Sequence, residues 1–159
     1  MKIKREKFQT FINCTPDKDT PTYEVLGEDL DDLSINMGAN VVKKNNILGK
    51  SSVNIDSYDK NASVSPYIAD KGTPLFTYLK GIIDDEKVMD DLRTDVVNVD
   101  IFGAESGTSY PAIKEEVVIE VVSHGGNTEG YQIPFNIHFT GVRTKGTFNP
   151  TTKAFSATA

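Results

Sequence analysis

"YQIPFNIHFTG", residues 131–141, sets Ile133, Phe135, Ile137 and Phe139 on one side of an extended chain and Gln132, Asn136 and His138 on the other. Side chains alternate across a strand with a period of two, so this stretch reads as a strand with one face in a core. The same alternation recurs outward from it. Upstream, "EVVIEVVS" (116–123) sets Val117, Ile119 and Val121 against a mixed face with Glu116 and Glu120. Before that, "DVVNVDIF" (95–102) sets Val97, Val99 and Ile101 against Asn98 and Asp100. "SHGGNTEG" (123–130) and "FGAESG" (102–107) are expected as turns; the second lacks the strand-to-helix context and spacing of a dinucleotide loop. Downstream, "GTFNPTTKAFSA" (146–157) reads as two short strands around Asn149-Pro150, because proline favours the second position of a turn.

Toward the N-terminus, "SSVNIDSY" (51–58) alternates Val53 and Ile55 against Asn54 and Asp56, and "DDLSINM" (31–37) alternates Leu33, Ile35 and Met37. "ASVSPYIA" (62–69) extends this pattern irregularly, with Pro66 arguing against a central ladder position. "GANVVKKNNILGK" (38–50) is polar, glycine-flanked and lysine-bearing, and reads as a loop or long hairpin tip. One segment breaks the period. In "TPLFTYLKGII" (73–83), Thr73 is a candidate N-cap and Pro74 fits the first turn. Leu75, Leu79, Ile82 and Ile83, with Phe76 beside them, then form a helical stripe that must lie on a core. Seven or eight short strands and one helix predict a mainly β fold, an antiparallel β-sandwich or barrel with one flanking α-helix. Residues 1–159 are expected as a single domain, with an N-terminal arm over about 1–20 and a long loop over about 38–50.

Composition narrows the function classes. The formal charge is −6; residues 1–20 hold five Lys/Arg against three acids, which leaves −8 for the remainder. Acids cluster in "EVLGEDLDDLSI" (24–35) and "DDEKVMDDLRTD" (84–95), a poor surface for gripping phosphate backbones. No apolar run approaches the ~20 residues that span a bilayer, so no membrane segment is expected. "MKIKREKFQTFINC" (1–14) lacks the apolar core and cleavage site of a signal peptide. The single cysteine, Cys14, fits a reducing compartment and excludes an internal disulfide.

No catalytic constellation emerges. His124 lies in a glycine-rich turn and His138 on the polar face of a strand, and neither has a metal-pair spacing. The acid pairs 84–85 and 90–91 lack the alternating ligands of a calcium loop. The chain therefore reads as a non-enzyme without metal or cofactor: an assembly subunit, or alternatively a carbohydrate- or peptide-binding β-sandwich. The absence of tryptophan and the scattered tyrosines weigh against a sugar platform.

"TPTYEVLGEDLDDLSINM" (20–37), "VNIDSYDKNASVSPYIADKGTPLFTYLKGIIDDEKV" (53–88) and "YQIPFNIHFTGVRTKGTFNPTTKAF" (131–155), in that order, resemble the major tail tube protein of long, non-contractile-tailed bacteriophages. The resemblance covers about Thr20 to Phe155, and its most specific part is the strand, "DSY" and capped-helix succession. It implies a virion protein, made in the bacterial host cytoplasm, that forms hexameric rings stacked into a hollow tail tube. Its expected partners are further copies of itself and the tape measure, tail terminator and distal tail proteins, while DNA passes through without specific binding. Tube subunits of contractile tails and of secretion systems share the fold and stand as related alternatives. With the chain ending soon after its last hairpin, no appended immunoglobulin-type domain is expected. Asn54, Asp56, Asn98, Asp100, Glu116 and Glu120 are the candidates for facing the lumen, where like charge keeps DNA off the wall. Val41, Val42, Lys43, Lys44, Asn45, Asn46, Ile47 and Leu48 are the candidates for contacts between rings. Leu75, Phe76, Leu79, Ile82 and Ile83 are expected to pack the helix.

Overall fold

The alternating segments join into one antiparallel sheet, and a separate ribbon stands off it. The computed structural model describes residues 1–103 and 107–158. Its strands are β1 (Phe8–Asn13), β2 (Tyr23–Val25), β3 (Ile35–Asn36), β4 (Ala39–Asn45), β5 (Ser51–Tyr58), β6 (Asn61–Val64), β7 (Arg93–Asp100), β8 (Tyr110–Val121), β9 (Phe135–Asn149) and β10 (Ala154–Ala157). The helix α1 spans Pro74–Asp85. The main sheet runs β2-β1-β7-β8-β9-β6-β3; β10 pairs the second half of β9, and β4 and β5 form their own two-stranded sheet. The protein is thus mainly β, with one α-helix on the flank of an antiparallel sandwich. The turn expected at 102–107 falls partly outside the described residues.

The sheet closes on itself. Three strand spacings separate β1 from β9 in the ladder, roughly 14 Å if flat, and four separate β2 from β9, roughly 19 Å. Yet the Phe148 ring of β9 lies 4.6 Å from Phe11 of β1 and 5.6 Å from Tyr23 of β2. Only a rolled sheet brings these rings together. They form a small core with Val97, Val99 and Ala112 on one face. The other face holds the larger core, where Ile12, Val96, Val117, Ile119, Phe135 and Ile137 meet the helix. Gly141, at φ +96°, lies in the bulge where β9 passes Glu116 of β8.

The helix follows its sequence closely. Thr73 Oγ1 accepts from Phe76 N at 3.4 Å, Pro74 opens the first turn, and Glu86 ends it in a left-handed conformation. A cap from outside was not foreseen: the Glu24 carboxylate accepts from Leu75 N at 2.8 Å, placing negative charge at the positive end of the helix. Leu75, Leu79 and Ile82 are buried, and Phe76 and Ile83 pack partly buried at their side. Tyr78 completes the buried stripe.

Several expectations fail, among them the long loop over about 38–50, most of which is strand β4 with a short tip. Residues 1–20 are not one polar arm, because β1 is paired on both sides, by β2 and β7, and its Phe11 and Ile12 are buried. The basic residues before Phe8 masked a core strand. Val53 and Ile55 alternate as a half-buried strand should, yet β5 is exposed along its whole length. Among the described residues, no second layer covers it. Met37 is likewise exposed, and the strand expected over 31–37 shrinks to Ile35–Asn36.

Candidate assembly interface

The ribbon β4–β5 is set by its ends. At its base Gly38 has φ +58°, and a Cβ there would come within 1.9 Å of the Asp59 carbonyl oxygen, so only glycine fits the close approach. Asp59 N donates to Gly38 O at 2.9 Å and closes the base. At the tip the Asn46 side chain accepts from Leu48 N and Lys50 N, each at 3.0 Å, and Gly49 takes φ +78°. An asparagine acceptor and a glycine with positive φ make an ordered turn. That turn holds Ile47 fully exposed and Leu48 at 76% exposure.

Cross-strand register sorts the ribbon's faces. Val41 pairs Ile55 and Lys43 pairs Val53, so one face carries an exposed apolar stripe beside a lysine. Val42 pairs Asn54 and Lys44 pairs Ser52 on the other face, where Val42 alone is half-buried. Between Ala39 and Tyr58 there are three lysines, Lys43, Lys44 and Lys50, against Asp56, a net of +2. None of the three lysines has an acidic partner among the described residues.

Just past the base, Lys60 anchors the ribbon to the body. Its ammonium pairs with Glu115 and lies 4.8 Å from the centre of the Phe139 ring. Glu115 is 3% exposed, and Arg143 Nε reaches the same carboxylate at 2.9 Å. Asn98 Nδ2 donates to it at 3.1 Å, and Thr10 Oγ1 donates to Asn98 Oδ1 at 2.8 Å. A buried carboxylate requires such satisfaction. The row Thr10, Asn98, Glu115 crosses three strands, with Lys60 and Arg143 closing its end. Sequence reasoning missed Glu115, Lys60 and Arg143, whose only sequence signal is the position of Lys60 directly after the ribbon.

The expected lumen residues do not share a surface. Asn98 is buried in that polar row, which corrects its placement on an exposed face. Asp100 is half-buried, and burial raises its carboxyl above the usual range. Asn98 and Asp100 lie on one face of β7, while Glu116 opposes Asp95 on the other. Glu116 accepts from Arg93 Nη1 at 2.6 Å; Glu120 pairs with His138 Nε2 at 2.7 Å, a bond that lowers its carboxyl pKa. Asn54 and Asp56 are exposed, but on the ribbon. The ring candidates Val41–Leu48 do fall together, over β4 and the tip.

The remaining reactive groups are held locally. His124 Nδ1 lies 2.9 Å from the Tyr131 hydroxyl. Cys14 is buried; desolvation, reinforced by Glu24, pushes its thiol up to about 12, so it stays protonated near neutrality. Asp84 pairs with Lys80 and Asp90 with Arg93, which accounts for one acid of each doublet. Among the described residues, no three His, Cys, Asp or Glu side chains converge as a metal site, and no helix is long and apolar enough to cross a membrane. No protein-family model matches the chain, and no curated protein matches it.

Proposed function

We propose that the chain is a structural subunit that polymerises, specifically the major tail tube protein of a long, non-contractile bacteriophage tail. The observation that carries this reading is the ribbon Ala39–Tyr58. An isolated two-stranded hairpin is marginal in water, and among the described residues this one has both edges unpaired and an apolar stripe uncovered. Such a surface is explained when neighbouring copies cover it. The mainly β fold with a flanking helix agrees with the sequence resemblance.

In this reading six copies form a ring and rings stack into a tube in the virion tail. Tape measure, terminator and distal tail proteins meet its ends, and DNA moves through the lumen. A conduit must not hold its cargo, because each phosphate–cation contact releases counterions and anchors the duplex. The acidic remainder of the chain suits that requirement, since like charge repels DNA over a screening length of ~8 Å. Light scattering and negative-stain microscopy of the purified chain test the proposal. Rings or tubes of uniform diameter are expected. A chain that stays monomeric up to high concentration, across a range of salt, overturns it.

A further inference from the structure

We infer that the tip of the β4–β5 ribbon of one copy seats in an acidic groove on a second copy, between the start of β1 and the segment 25–33. This names the partner surface for the ribbon and rests on the assembly reading above. The groove has a volume of about 370 Å³. Its floor is Val25, Leu30 and Leu33, all half-buried, and its rim carries Glu28, Asp31 and Asp32, all exposed. Leu30 and Leu33 lean on the larger core and Val25 on the smaller, so the floor is braced from both sides of the fold.

Ligand and receptor match in both terms. The tip offers two exposed apolar side chains, Ile47 and Leu48, within eight residues that also carry Lys43, Lys44 and Lys50. The groove offers an apolar floor within a rim of three acids. Glu28, Asp31 and Asp32 have no cationic partner among the described residues, just as the lysines have no acid. Arg5 and Glu6 also line the groove; the Arg5 guanidinium donates to the carbonyls of Phe8 and Leu33 and keeps its charge, which Glu6 offsets, so the three rim acids leave the groove net negative. Complementary charge then selects the groove and the apolar pair supplies contact area. The conduit adds a requirement of its own. Three uncovered lysines on each of many subunits would retain DNA, and seating the tip against three acids removes them.

Charge reversal separates the seat from assembly as such. A chain with Lys43, Lys44 and Lys50 changed to Glu, and a chain with Glu28, Asp31 and Asp32 changed to Lys, each place like charges in contact. Each should need a protein concentration raised by well over ~10-fold to assemble. A chain carrying both sets restores opposite charges and should assemble nearly as the parent does. Thermal melts establish that each variant folds. If the rim variant does not fold, a second arm decides: mixed single variants Leu48→Cys and Leu30→Cys should form an intermolecular disulfide on mild oxidation, with buried Cys14 left unreacted. Normal assembly of the lysine-reversed chain, or no rescue and no cross-link in a chain whose parent assembles, overturns the seat while leaving the assembly reading intact. A parent that never assembles overturns both.

Discussion

Glu115 and Tyr78 are the two buried polar side chains whose surroundings differ most. Glu115 has three contacts that answer its charge, from Lys60, Arg143 and Asn98, with Thr10 behind Asn98. Removing one partner of a buried pair strands the other, so Glu115→Ala should cost roughly 3 kcal/mol, the low end of such losses, because Arg143 remains half-exposed to water. Lys60→Met should cost less, since Arg143 still holds the carboxylate. Chemical denaturation of both variants checks the order, and a larger loss for Lys60→Met would contradict it. Tyr78 presents the opposite case: its hydroxyl is buried with no hydrogen-bond partner among the described residues, and burial raises its pKa. An unsatisfied hydroxyl costs on the order of 1–3 kcal/mol, so Tyr78→Phe should raise stability by about 1 kcal/mol. A lower melting temperature for that variant would show that the hydroxyl has found a partner.

At the scale of elements, the ribbon and the helix are stabilised differently. The helix is capped and docked on the core, whereas the ribbon is tied down at its base through Gly38, Asp59 and Lys60. Deleting residues 40–49 should therefore leave the melting temperature of the body nearly unchanged and abolish assembly. Hydrogen exchange gives a second measure: amides of β4 and β5 should exchange fast in the free subunit and slowly in the assembly. Equal protection in both states would count against the ribbon as the contact element. This contrast also explains what the sequence disclosed. Period-two patterning identified Phe135, Ile137, Val117, Ile119, Val97 and Val99 as core, because each faces a layer above it. The same pattern misled at Val53 and Ile55, since alternation reports a two-faced strand and not whether anything lies on either face. Asn98 was misplaced for the converse reason. Its burial depends on Glu115, which the β7–β8 register places opposite Val96 and diagonally across from Asn98, and no local pattern encodes that carboxylate's own partners.

The whole molecule is a charge-divided object: the ribbon carries +2, so the total of −6 leaves −8 on the body. Such a division favours head-to-tail contact between copies over contact with an acidic polymer. It also ranks the lumen candidates. Asp100 is half-buried, Glu116 and Glu120 are engaged with Arg93 and His138, and Asn98 is internal. Asp56 is left as the exposed acid in the candidate set with no ion-pair partner among the described residues. Asp56→Lys should shift folding stability by no more than ~0.5 kcal/mol, as for other exposed positions without a partner. If Asp56 borders the channel, the substitution adds a ring of cations around the path of DNA. Tubes of the variant should then retain short duplex DNA at about 50 mM salt and release it at about 200 mM, because counterion release weakens with salt. Parent tubes should retain none at either concentration. Variant tubes that retain no DNA at the lower salt would place Asp56 away from the channel, and variant subunits that no longer form tubes would place it in a contact between copies.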